Sequence, residues 1–255
     1  VSPGVGDPYA GLLNAVVLYA IGGGLIEVLV SPIAEACPTT DKTGAMSLLH
    51  SFYCWGSAAV ILVTTHLLLA IGSEHWRWLA VGWAAVPIFN AIYYGFVPVG
   101  KLQEEEGGTR LRTLFSSGTF WLFAVMMLCA GASEQAMSQW ASAFAESGLG
   151  ISKTMGDLFG PCLFAVLMGV ARVLYARFGA RLNAPLTIAC SCALCVVSYL
   201  LAALSPIPEL GLVGCALCGL SVGIFWPATF SLAIGRMPKG GTALFAILSL
   251  GGDVG

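Results

Sequence analysis

Residues 10–36 read AGLLNAVVLYAIGGGLIEVLVSPIAEA, and their only charged side chains are Glu27 and Glu35. A helix crosses the ~30 Å hydrocarbon layer with ~20 apolar residues at 1.5 Å each, so this stretch is long enough to span. Residues 45–72, 76–97, 118–146, 154–175, 184–204 and 209–235 pass the same test, and a further apolar run begins near Thr242. The expected fold is an all-α integral membrane protein with seven full spans and the start of an eighth.

Composition agrees. The chain is 58% hydrophobic and 9% charged with a mean hydropathy of +0.87, whereas soluble domains carry ~25% charged residues. A net charge of -2 and the lack of any Lys/Arg-rich run exclude nucleic acid as an expected partner. The lipid bilayer is the expected surroundings. Most of the nine cysteines fall within apolar stretches and read as small buried hydrophobes. Two CALC tetrads, Cys192 to Cys195 and Cys215 to Cys218, have zinc-ribbon spacing. Their apolar surroundings disfavour the thiolates that zinc needs, so no metal and no cofactor is expected.

Positive charges collect on the cytoplasmic side of short membrane loops. With the spans above, Lys42, Lys101, Arg110, Arg112, Arg172, Arg177, Arg181, Arg236 and Lys239 fall on one side and only Arg77 and Lys153 on the other. The first group is read as cytoplasmic, in the plasma membrane, with the Val1 end extracellular. VSPGVGDPYA is not a signal peptide, because it has no basic start, so an odd number of spans is expected upstream. PVGKLQEEEGGTRLRTLFSSG, with Lys101 and Glu104 to Glu106 ahead of Gly107 and Gly108, reads as a cytoplasmic linker over 98–117. It separates a bundle in 1–97 from a second in 118–255. A shift of 195 residues lays Gly24 on Gly219, Leu25 on Leu220, Pro32 on Pro227, Leu49 on Leu244 and Gly56 on Gly251. Spans one and seven then correspond, as in parallel repeats of two six-helix halves. The chain is expected to be a fragment of such a pair, with three helices preceding Val1.

Ionisable groups are costly inside a bilayer and so mark candidate sites. Glu27 lies nine residues, or ~13 Å, from the end of its span. Gly22, Gly23 and Gly24 before it allow close packing or unwinding, and Pro32 loosens the following turn. A carboxyl there can take up and release a proton, or serve as a structural hydrogen-bonding group. His50, at a similar level of the next span, could pair with Glu27, and Tyr53 and Trp55 add groups suited to a polar ring. In GASEQAMSQWASAF, Glu134 with Ser138 and Gln135 with Gln139 form two rows four residues apart, next to Trp140. Such a stripe faces a solute cavity or a partner helix rather than lipid. Asn90 is a weaker candidate. Asp157 reads as a helix-terminus carboxylate, with Pro161 kinking the helix after it.

GGGLIEVLVSPIAEA followed by SLLHSFYCWG resembles the major facilitator superfamily, in its fucose permease-like sugar/proton symporter branch. Members of that branch carry a glycine-rich fourth helix with Glu, then Pro five residues on, and a fifth helix with a polar-aromatic stretch ending in Gly. Glu27, Pro32 and Gly56 fill those places. His50 and Tyr53 stand where sugar-transporting members often have amides. RVLYARFGARL is similar to the DRxGRR gate motif of the superfamily, with Arg177, Gly179 and Arg181 matching and Ala176 in place of the aspartate. The resemblance implies helices four to ten and the start of eleven of a monomeric carrier. It implies a small-molecule substrate, a sugar among the candidates, with protons as the coupling ion, and that Glu27 takes part in substrate binding or proton coupling. The alternatives are a proton-driven drug or metabolite exporter of the same fold, or a transporter-like membrane sensor or scaffold. No phosphate loop, HExxH or GxSxG motif points to an enzyme.

Overall fold

The computed structural model describes residues 8–97, 111–238 and 240–255. The Val1 end, most of the expected linker (98–110, with Lys101 and Arg110) and Lys239 lie outside the described residues. The rest is helical: α1 (Pro8–Ala36), α2 (Lys42–Ile71), α3 (Trp76–Trp83), α4 (Ala85–Tyr94), α5 (Leu111–Phe115), α6 (Gly118–Ser147), α7 (Lys153–Asp157), α8 (Leu163–Phe178), α9 (Ala184–Leu204), α10 (Pro208–Val222), α11 (Phe225–Arg236) and α12 (Gly241–Val254). In hydrocarbon every backbone polar group needs an internal partner, which helices provide. Polar side chains finish the ends. Asp41 accepts from the Gly44 amide at 2.8 Å, the Lys42 ammonium reaches the Glu35 and Cys37 carbonyls at the end of α1, and Asn183 caps α9 through the Leu186 amide.

Six stretches among the described residues are long and apolar enough to cross a membrane: Tyr9–Ala36, Lys42–Ile71, Gly118–Ser147, Lys153–Arg181, Ala184–Leu204 and Pro208–Arg236. The count differs from the expected seven because residues 76–97 are divided into α3 and α4 at Ala84. Pro87 is the cause: it has no N–H for the Trp83 carbonyl four residues earlier, and its ring crowds that oxygen. Pro161 acts similarly within Lys153–Arg181, where Leu158–Cys162 forms a π turn between α7 and α8. A third break, at Gly223–Ile224 between α10 and α11, was not expected. Part of the expected linker is also structured, since α5 buries Leu114 completely in the core.

Small residues let the helices approach closely, the usual device where lipid offers no hydrophobic drive between helices. A Cβ on Gly219 of α10 would lie 2.2 Å from the Phe164 carbonyl oxygen of α8, and one on Gly131 of α6 would lie 1.8 Å from that of Gly252 in α12. The Gly22 to Gly24 run does not do this. A Cβ on any of the three would meet nothing within 4 Å, and α1 neither unwinds there nor breaks at Pro32. α2 lies along α8, with the Ser47 hydroxyl donating to the Arg172 carbonyl at 2.6 Å and the Cys162 thiol to the Ala58 carbonyl at 3.7 Å. α1 packs on α2 and α12, and α11 on α2 and α6.

Glycine substitutions test this packing. Gly219→Val should overpack the α8–α10 contact and cost upward of ~3 kcal/mol, lowering the yield of monodisperse protein in detergent. Gly23→Ala should be neutral or stabilising by up to ~1 kcal/mol, read as an unchanged or raised melting temperature. Equal losses from both would contradict the packing described.

Candidate functional site

The centre of the site is a side chain that the charge count assigned to a cytoplasmic loop. Arg172 stands within α8, six residues before its end at Phe178, and is 2% exposed. It lies inside the span expected over 154–175, which the helix carries on to Phe178. Its guanidinium binds three other elements. Nη2 pairs with Glu134 of α6 at 3.1 Å, Nη1 donates to the His50 carbonyl of α2 at 2.8 Å, and Nε donates to the Gly223 carbonyl between α10 and α11 at 2.9 Å. The Tyr53 ring lies 5.9 Å from the guanidinium carbon, within reach of a cation–π attraction. A buried ion pair persists only when hydrogen bonds also satisfy its remaining groups, and here two carbonyls do so.

Glu27 is half-buried on α1 and lies within electrostatic reach of Glu134, Tyr53 and Asp253. It does not pair with His50. The imidazole Nε2 instead lies 3.4 Å from the Ser31 hydroxyl, one turn along α1 from Glu27. The His50 ring stacks on Phe230 of α11 at 5.8 Å and tilts against Trp226 at 6.4 Å. Held by that hydroxyl and two rings, it faces α11 rather than the carboxylate. Trp226 is itself buried, and its indole N–H has no hydrogen-bond partner among the described residues.

The polar stripe of α6 divides. Glu134 turns inward to Arg172, while Gln135 accepts from the Gln139 amide at 3.1 Å and contacts the Ser138 hydroxyl at 3.4 Å. Gln139 is exposed and Trp140 is 69% exposed. A helix turns 100° per residue, so residues 134 and 140 cannot share one face. Asn90 lies apart on α4, a helix with no buried residue among those described. The gate motif also divides. Gly179 is buried in a 3-10 turn against the Tyr175 ring, while Arg177 and Arg181 are exposed. Asp157 is not in a first turn as expected but is the last residue of α7, where it is held by Ser142 and Lys153.

Sequence reasoning missed Arg172, Asp253, Trp226 and the break at Gly223. Arg172 was detectable, since a charge inside an apolar run is a site candidate before it is a topology signal. Asp253 was passed over in a span read as incomplete, and Trp226 reads as an ordinary core aromatic.

The polar centre thus draws groups from several helices into the interior of an apolar bundle. Residues 5–255 match the family model of the Major Facilitator Superfamily. The chain belongs to that superfamily. It is a multi-pass membrane protein and a secondary transporter with a small-molecule substrate. No curated protein and no solved structure gives a significant match.

The Arg172–Glu134 pair predicts a non-additive mutational pattern in this transporter. Glu134→Gln leaves a buried guanidinium without its counter-charge and should cost ~3–5 kcal/mol, measured by unfolding in mixed micelles. Adding Arg172→Met removes the isolated charge and should recover part of the loss, the remainder being the cost of the His50 and Gly223 carbonyls losing their donor. Stability of Glu134→Gln equal to that of the parent would show that the pair is not buried as described.

Proposed function

We propose that the transporter moves a small polar solute, a sugar by its resemblance to the fucose permease-like branch, across the plasma membrane by alternating access with proton coupling at Glu27. Residues 1–97 and 118–255 are the two moving bodies, with the 98–117 linker and the Arg177–Arg181 turn on the cytoplasmic side and the Val1 end outside. The protein works as a monomer. The single observation that supports this reading is the grouping of Tyr53 of α2 and Glu134 of α6 around Arg172 of α8, with Glu27 of α1 within electrostatic reach.

A solute bound there would contact both bodies, so its binding energy would differ between outward and inward arrangements, and that difference is what shifts the equilibrium. Tyr53 and Trp226, whose buried indole N–H has no hydrogen-bond partner among the described residues, suit hydroxyl-bearing rings, which aromatic residues bind by stacking and hydrogen bonding. Glu27 has no basic partner among the described ion pairs, so a proton can neutralise it without breaking a salt bridge. Carboxyls outnumber bases here, with Glu27, Glu134 and Asp253 against Arg172. That imbalance suits a cationic solute, which the second reading, a proton-driven drug or metabolite exporter of the same fold, would carry.

The test uses proteoliposomes and labelled L-fucose. Under an inward proton gradient the parent protein should accumulate the sugar. Glu27→Gln should abolish accumulation, by at least ~100-fold if coupling depends on this carboxyl, while leaving sugar exchange at equal pH in place. Unchanged gradient-driven uptake in Glu27→Gln removes Glu27 from coupling. Absence of uptake by the parent, with competition by organic cations for binding, favours the exporter.

A further inference from the structure

Pro208–Arg236 is one apolar stretch long enough to span, yet it is broken at Gly223–Ile224. In a continuous helix the Gly223 carbonyl would accept a hydrogen bond from the amide of residue 227. That residue is Pro227, which has no N–H. The bonds on either side are in place, with the Gly223 amide donating to Gly219 at 3.1 Å and the Ala228 amide to Ile224 at 2.9 Å. One carbonyl is therefore orphaned in the interior of a membrane protein, where it must find another donor. The Nε–H of Arg172 is that donor, at 2.9 Å. α8 can come close enough because Gly223 has no side chain, since a Cβ there would lie 2.7 Å from the Ala171 Cβ.

Beyond the break, α11 carries Trp226 and Phe230, whose rings contact His50 of α2. The guanidinium that fills the break also holds the His50 carbonyl. Both ends of the α2–α11 contact thus depend on one side chain. A helix interrupted at one point, with an intact segment on each side, has the form of a hinge.

We propose that α11 is a hinged arm and that Arg172 is the positioning residue that sets its angle against α2, by supplying the hydrogen bond that Pro227 deletes. Only the consequence for solute movement rests on the transporter reading. The hinge itself is a claim about the helix and stands apart from it. Arg172 accordingly has two separable attachments, a charge to Glu134 and a donor to Gly223, and substitutions can remove one while restoring the other.

Spin labels at Leu210→Cys on α10 and Gly235→Cys on α11, with the exposed Cys37, Cys129, Cys190 and Cys192 replaced by Ser, report the angle as a distance distribution. The parent should give a narrow distribution. Glu134→Gln with Arg172→Met leaves no isolated buried charge but removes the donor, and should broaden the distribution about twofold. Adding Pro227→Ala returns an amide N–H to position 227 and should narrow it again. A narrow distribution without Arg172 overturns the proposal, as does a broad one that Pro227→Ala fails to narrow. Pro227→Ala alone should lower the turnover of L-fucose exchange by about tenfold with KM within about twofold. Unchanged turnover overturns the part of the arm in transport. If the parent moves no L-fucose, the sugar reading falls while the distance measurements still decide the hinge.

Discussion

The Arg172–Glu134 pair is the constraint around which the helices are arranged. Moving a guanidinium out of water costs several kcal/mol even after relaxation, so its surroundings must return that energy through placed acceptors. They come from three directions: a carboxylate on α6, a carbonyl on α2 and a carbonyl between α10 and α11. None of these elements can shift by more than a fraction of an ångström without lengthening a bond to the same group. The close helix contacts at Gly219 and Gly223 follow from this demand. Larger residues there would hold α8 away from α10 and strand the charge.

The prolines supply the complementary element. Each of Pro87, Pro161 and Pro227 removes one amide from a spanning stretch, and the structure answers each loss differently. At Pro87 the stretch divides into two short helices, tethered to α2 by the Trp83 indole donating to Thr64 at 3.2 Å. At Pro161 the backbone shifts to a wider π turn packed against α2 and α6. At Pro227 a charged side chain from another helix takes the place of the amide. The first two are local solutions within one segment. The third makes the geometry of one segment depend on a side chain of another.

Much of the fold was legible in the sequence, because the length of an apolar run and the bilayer thickness together dictate a spanning helix. The α2 and α9 limits were read closely for that reason. Interruption inside a run was harder to read, since Pro32 leaves α1 continuous while Pro87 divides its span. The difference lies in tertiary surroundings that composition does not carry. Of the candidate residues, the structure brings Glu134 and Tyr53 together at Arg172, while His50 lies against Ser31 and not the Glu27 it could have paired with. Residues at one depth on adjacent helices can meet only if their faces also agree, and helix rotation about its axis is set by packing against third helices. Arg172 was counted among the cytoplasmic charges although it lies inside the expected 154–175 span, because a charge near the end of a span reads as a topology signal as readily as a buried group.

The balance of charge in this region connects the architecture to its use. Glu134 is committed to Arg172, and two carbonyls complete the guanidinium's shell. Glu27 and Asp253 have no such commitment, although Glu27 lies within electrostatic reach of both other carboxyls. In the proposed mechanism the Arg172–Glu134 pair is scaffold, and the carboxyls outside it are the groups that would take a proton or meet the solute. The Tyr53 ring lies against Arg172 and within electrostatic reach of Glu27. Under the proposed mechanism a change of charge at Glu27 would act on Arg172 across that ring, and through Arg172 on the break before α11.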